Sequence, residues 1–195
     1  MDRRGFLKTS MVIGGSALGS KNACAQETHN PEEFVGILVD TTRCIGCRAC
    51  EVACGREHQM TVPDTVNDGA LETRRTTGDK QWTVVNKYQT EKGEVFVKTQ
   101  CMHCYQAACT AACPTVAMEQ TRGGPVKWNS GRCIGCRFCM VSCPFDMAKF
   151  EYHEWNPKIQ KCNMCFERVT QGQKPACVSA CPTDALMFGT RVKNL

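Results

Sequence analysis

The sequence is poor in the residues from which a large core is built. Over 195 residues only 42% are hydrophobic and 7% aromatic, so apolar burial alone supports a modest core in one or two small domains. A membrane-spanning helix needs about 20 consecutive apolar residues, and no such run exists, so no transmembrane segment is expected. No Ser-His-Asp set, paired-carboxylate site or phosphate-cradling glycine loop can be picked out, which removes the commonest routes to substrate chemistry. The formal net charge of +5 comes without a basic stripe interleaved with aromatics, so nucleic acid is not expected as a partner.

What is abundant is cysteine. Sixteen of the seventeen fall into four groups of four. The first, Cys44, Cys47, Cys50 and Cys54, is spaced C-x2-C-x2-C-x3-C, and the third, Cys133, Cys136, Cys139 and Cys143, repeats it. The second is Cys101, Cys104, Cys109 and Cys113; the fourth is Cys162, Cys165, Cys177 and Cys181, with eleven residues at its middle. Groups two, three and four end in Cys-Pro. C-x2-C-x2-C-x3-C-P is the bacterial ferredoxin run, in which thiolates hold a 4Fe–4S cube. Four groups therefore predict four 4Fe–4S clusters, with iron bound through all sixteen cysteines. Structural zinc is satisfied by two C-x2-C pairs and asks for no third and fourth cysteine at x2 and x3. Disulfides suit an exported cysteine-rich chain, but not so regular a repeat.

The groups themselves repeat. CIGCRACEVAC (Cys44 to Cys54) matches CIGCRFCMVSC (Cys133 to Cys143), and ACTAACPTVAM (Ala108 to Met118) matches ACVSACPTDAL (Ala176 to Leu186). In two-cluster ferredoxins the fourth cysteine of one run ligates the other cluster. The C-x3-C step predicts a short helical turn that carries the last cysteine away, and proline then stops the turn. Neighbouring groups two and three should pair: Cys101, Cys104 and Cys109 with Cys143, and Cys133, Cys136 and Cys139 with Cys113. That leaves Cys44, Cys47 and Cys50 with Cys181, and Cys162, Cys165 and Cys177 with Cys54.

The fold expected is α+β and loop-rich: two nested bacterial-ferredoxin-like modules built from short strands and helices. Residues 35–99 plus 157–190 form the outer module, with a loop and hairpin insertion at 60–98, and residues 100–156 form the inner one. Gly36–Asp40 and Thr183–Phe188 read as strands flanking the outer module, with Pro125–Asn129 and Phe150–Tyr152 in that role for the inner. Alternation over Trp82–Tyr88 and Glu94–Lys98 predicts a hairpin turning near Gly93. A helix over 156–171 is expected to bear Cys162 and Cys165.

Around the ligands, Gly46 and Gly135 are expected at positive φ, where the backbone wraps a cube. Arg48 and Arg137 read either as charges that raise cluster potential or as solvated arginines. His103, between two ligands, reads first as an ordinary histidine and second as a hydrogen-bond donor to a cluster. Met102, Met140, Met164, Met187, Phe138, Phe145, Phe150 and Phe166 are expected to pack around the cubes and exclude water.

The N-terminus reads as an address. Arg3 and Arg4 precede Phe6-Leu7-Lys8, then a short apolar run, then Ala23-Cys24-Ala25. This resembles a twin-arginine signal over residues 1–25, with Asp2 where Ser or Thr is usual. That route carries folded proteins, so cluster loading can precede export to the periplasm. Cys24 leaves with the signal, which holds +3 of the net charge. Each cube with its thiolates adds about −2, giving a mature protein of roughly −6.

Four cysteine groups in this order, closed by C-x2-C-x11-C-x3-C-P, resemble the four-cluster electron-transfer (beta) subunits of bacterial respiratory complexes, from about Val35 to Gly189. That family serves molybdopterin oxidoreductases, the nickel–iron hydrogenase-2 and formate-dependent nitrite reductase. The resemblance implies a non-catalytic subunit passing single electrons between a catalytic partner (molybdopterin oxidoreductase, hydrogenase or multihaem reductase) and an integral membrane quinone-reactive subunit. Some members replace a third-group cysteine; Cys136 is present here, so that cluster is expected as 4Fe–4S. Several carry a C-terminal anchor, whereas this sequence stops at Leu195, so it either belongs to an anchor-free branch or is truncated; peripheral attachment to the cytoplasmic membrane through partners is expected. A free-standing periplasmic polyferredoxin shuttle is the alternative.

Overall fold

The computed structural model describes residues 34–66 and 68–190; the expected signal segment and Cys24 lie outside the described residues. Among the described residues, four two-stranded antiparallel sheets and five short α-helices form the regular structure, with two 3-10 turns between them. β1 (Val35–Val39) pairs with β8 (Leu186–Thr190), so the first and last described elements close on each other. β2 (Val84–Thr90) and β3 (Gly93–Thr99) form the hairpin, with Thr90 opposite Gly93 and Gly93 at φ 117°. That geometry needs a residue without a Cβ penalty.

β4 (Met118–Gln120) pairs with β5 (Val126–Trp128), and β6 (Lys149–Phe150) with β7 (Ile159–Gln160). Strands thus form at or beside the places expected for the inner module, and each takes a partner that its own neighbouring turn delivers. A local hairpin costs less loop-closure entropy than a long-range ladder.

The helices follow the cysteines. α1 (Ala49–Glu57) carries Cys50 and Cys54. α2 (Ala108–Ala111), α3 (Phe138–Val141) and α5 (Ala176–Ser179) each carry a third cysteine and stop just before a Cys-Pro. Only Cys54 lacks the following proline, and only α1 continues past its last cysteine. α4 is confined to Phe166–Thr170, so Cys162 and Cys165 are not on a helix. Met164 and Cys165 have φ of 59° and 48°, and consecutive left-handed residues are incompatible with the expected helical run.

Two apolar clusters hold these pieces. One gathers Ala107, Met118, Val126, Cys139, Ala148 and Ile159, with Phe150 and Met140 against it. The other gathers Cys50, Val85, Cys177, Val178 and Leu186, with Phe96 and Phe188 against it. α2 packs on α3 and α1 on α5. The segment between Cys54 and Cys101 is fastened to α1 by Glu51, whose side chain is fully buried. Its carboxylate accepts from Arg48, Arg75, Gln81 and the Val85 backbone N–H. Nothing adjacent in the sequence singles out Glu51; the tertiary structure makes it a hub.

Candidate metal centres

Each cysteine group is wrapped by left-handed backbone. Gly46 and Arg48 have φ of 71° and 59°, and Gly135 and Arg137 have 70° and 62°, so the repeated motif adopts the same path twice. His103 takes the left-handed position in group two at 44°. A second set of left-handed residues follows each Cys-Pro by two positions: Val116, Asp146 and Asp184, at 54°, 51° and 49°. These turns aim backbone N–H groups at sulfur, as an anion-binding nest does. Ala117 N and Met118 N lie 3.2 and 3.4 Å from Cys113 Sγ, and Met147 N lies 3.4 Å from Cys143 Sγ. Burial pushes the Cys113 thiol up, but the Met118, Thr115 and Ala117 amides with the Thr115 hydroxyl outweigh it and lower the pKa. Cys181 is lowered in the same balance by Thr183, Leu186 and Ala185.

Long-range packing then assembles the thiols in fours. One recess is lined by Cys44, Cys47, Cys50 and Cys181, with Arg48, Lys98 and Leu186 around them. Another is lined by Cys113, Cys133, Cys136 and Cys139, with Ile134, Trp128 and Ile159. Beyond the effect of its burial, the Cys54 thiol is raised by its neighbours Cys162, Cys177 and Cys165. Cys109 has Cys101, Cys143 and Cys104 around it. Between these gatherings, Cys177 neighbours Cys50, Cys101 neighbours Cys162, and Cys109 neighbours Cys139. Cys47 and Cys136 are the exposed members of the sixteen.

All sixteen are free thiols. Burial pushes Cys50 and Cys162 up to about 12 and Cys139 up to about 11. So many buried thiols become thiolates only with cationic partners. Two buried lysines supply part of that charge. Lys98 opposes the burial of Cys50, Cys54 and Cys162. Lys161 donates to the Val126 and Cys162 carbonyls at 2.5 and 2.8 Å, and its Nζ lies 3.8 Å from Cys101 Sγ.

Buried donors without protein acceptors lie beside the same sites. Trp128 lines the Cys133 recess and its indole N–H is buried without a partner. His103 Nε2 is buried and unpartnered as well. His58 Nε2 lies 3.5 Å from Cys165 Sγ, its ring 4.5 Å from that of Trp82. Among the described residues no three Cys, His, Asp or Glu are gathered for a single ion. A donor set of four-thiol gatherings ringed by N–H groups fits 4Fe–4S cubes, whose sulfurs accept such bonds.

Other expectations divide. Arg48 is 4% exposed and paired with Glu51, so its charge is compensated. Arg137 lies 5.4 and 5.8 Å from the Phe150 and Tyr152 ring centroids. Met164 is buried, but Met102, Phe138 and Phe145 are exposed and do not shield a site by their own burial. Their helical or loop positions face outward once the cysteines turn in.

Comparison with known proteins gives two matches to the 4Fe-4S dicluster domain, over residues 93–191 and 43–117. A protein of Nitratidesulfovibrio vulgaris is 42% identical over 98% of this chain and 54% of its own length. The formate dehydrogenase-O iron-sulfur subunit of Escherichia coli is 38% identical, covering 86% of this chain and 57% of its own length. The hydrogenase-2 operon protein HybA of Escherichia coli O157:H7 is 34% identical, covering 98% and 63%. The chain thus spans between half and two thirds of the length of these relatives.

Proposed function

The chain belongs to the 4Fe-4S dicluster domain family, and from that premise we propose that it is the electron-transfer iron–sulfur subunit of a respiratory oxidoreductase, with four 4Fe–4S clusters and no catalytic site of its own. When bound, each cube takes up and returns one electron. The protein's part is to hold four thiols per cube, exclude water and set the spacing. Cys44, Cys47, Cys50 and Cys181 hold the first; Cys101, Cys104, Cys109 and Cys143 the second. Cys133, Cys136, Cys139 and Cys113 hold the third; Cys162, Cys165, Cys177 and Cys54 the fourth. The observation that carries this is the gathering of each last cysteine with the first three of another group. Each module in this arrangement holds two cubes, one module nested within the other.

The neighbouring thiols give an order along the molecule. The first-group site adjoins the fourth through Cys50 and Cys177, the fourth adjoins the second through Cys162 and Cys101, and the second adjoins the third through Cys109 and Cys139. Exposed Cys47 and Cys136 belong to the two ends of that row. A catalytic partner at one end and a quinone-reactive membrane partner at the other suit it. The names of the relatives favour a partner that oxidises formate or hydrogen. No helix among the described residues is long and apolar enough to cross a membrane, so attachment through the membrane partner is part of the proposal. Export of the folded, loaded protein to the periplasm by the twin-arginine route rests on the sequence of residues 1–25.

Anaerobic purification tests the reading. Four cubes predict about 16 iron and 16 acid-labile sulfide per chain, with a large catalytic chain co-purifying. Zinc without sulfide would overturn the cluster assignment. Full iron on a chain that elutes alone from its native host would favour the free shuttle.

A further inference from the structure

His103 sits between two cysteines and is 5% exposed, and its ring makes one hydrogen bond to protein. Nδ1 accepts from the Val126 backbone N–H at 2.9 Å. An imidazole nitrogen that accepts carries no proton, so the neutral ring carries it on Nε2. That N–H is buried and has no partner in the protein. A buried donor left unpaired costs about 1–3 kcal/mol, and such orphans are rare enough to need an explanation. The backbone is also constrained, with φ 44° at a non-glycine residue. Val126 fixes the ring, and the fixed ring has one donor left.

We infer that His103 is a positioning residue for the second-group cube, its Nε2–H donating to a sulfur of the cluster held by Cys101, Cys104 and Cys109. The inference rests on the cluster reading above. A hydrogen bond to sulfur favours the more negative, reduced state and so raises the midpoint potential. Lys161 donates to the ligand itself, its Nζ lying 3.8 Å from Cys101 Sγ, whereas the His103 donor has no protein acceptor.

Two variants separate the two ends of the ring. His103→Asn keeps an acceptor near the Nδ1 position and tolerates positive φ, but offers nothing at Nε2. His103→Gln presents an amide N–H near the Nε2 position. Redox-titrated EPR of the anaerobic holoprotein should show one midpoint falling in His103→Asn by about tenfold in the one-electron equilibrium, or ~59 mV, with the other three unmoved. His103→Gln should stay closer to wild type. Unchanged midpoints in His103→Asn at full iron content would overturn the inference. Should the variants fail to load the cube, pulsed EPR on wild type with 15N-histidine decides. Nitrogen coupling at the second-group cluster supports the donor role, and its absence overturns it. Iron and sulfide measured on the same sample distinguish failure of this inference from failure of the cluster reading.

Discussion

The loops Cys44–Cys54 and Cys133–Cys143 are near copies that live in different surroundings. Both place glycine and arginine in left-handed conformation at equivalent positions. They diverge at one residue in particular: Glu51 in the first stands where Met140 stands in the third. Met140 packs on an apolar cluster. Glu51 draws in Arg48, Arg75 and Gln81 and binds the edge of the β2–β3 hairpin. The hairpin then covers the first loop, bringing the Phe96 ring over Gly46, while Gly135 has open space above it. The motif therefore fixes how a loop wraps its site, and the insertion decides how dry that site is. Dielectric around a cluster is one of the levers on its potential, so two sites of one geometry can differ in redox behaviour.

The largest test acts on the last cysteine of each loop. Cys54→Ala should abolish the EPR signal of the fourth-group cluster and spare the first, and Cys143→Ala should remove the second and spare the third. Loss of the cluster from the variant's own group would reverse the ligand exchange. Next in size is Glu51→Met, which makes the first loop resemble the third. It strands Arg48 and Arg75 without their buried partner, and unpairing a buried ion pair costs about 3–5 kcal/mol. Thermal unfolding of the anaerobic holoprotein should show a clear drop; a change within about 1 kcal/mol would mean the hairpin is held by something else.

Glycine exchange splits the copies more finely. Gly46→Ala and Gly135→Ala share a strain of about 1–2 kcal/mol for a Cβ in left-handed backbone. Only at Gly46 does the Cβ come within 2.5 Å of the Phe96 ring, adding about 1–3 kcal/mol of overpacking. Equal losses of stability at the two positions would show that the hairpin does not press on the first loop in solution. The smallest effect is expected for Arg137→Ala, where two exposed cation–π contacts, to Phe150 and Tyr152, are removed at a cost of about 0.5–1 kcal/mol each. Arg48→Ala, by contrast, breaks the buried network and should follow Glu51→Met in kind.

What could be read from the sequence was local. The C-x3-C turns, the breaks at Pro114, Pro144 and Pro182, the positive φ at Gly46 and Gly135 and the hairpin near Gly93 all follow from a few adjacent residues. Strands near both ends of the chain were also legible, and β1 and β8 do pair. The 156–171 stretch was misread because composition favours helix there, while Met164 and Cys165 take left-handed backbone that local propensity does not foretell. Glu51 was invisible because its partners lie up to 34 residues away. The sequence likewise gives no sign of which methionines and phenylalanines turn outward; Met102, Phe138 and Phe145 do. His103 was flagged by position alone, and only the bond from Val126 says which nitrogen is free.

The pairing of β1 with β8 also sets a timetable. A chain leaving the ribosome presents Cys44, Cys47 and Cys50 early, yet the recess they share is completed by Cys181, near the opposite end. Groups two and three emerge close together and pack through the neighbouring helices α2 and α3. Under the proposed ligand assignment, the second- and third-group sites can therefore be completed while the outer groups still await their last partner. Synthesis proceeds at about 5–20 residues per second, so those early thiols stay incomplete for several seconds at least. During that interval they are open to oxidation or to the wrong metal.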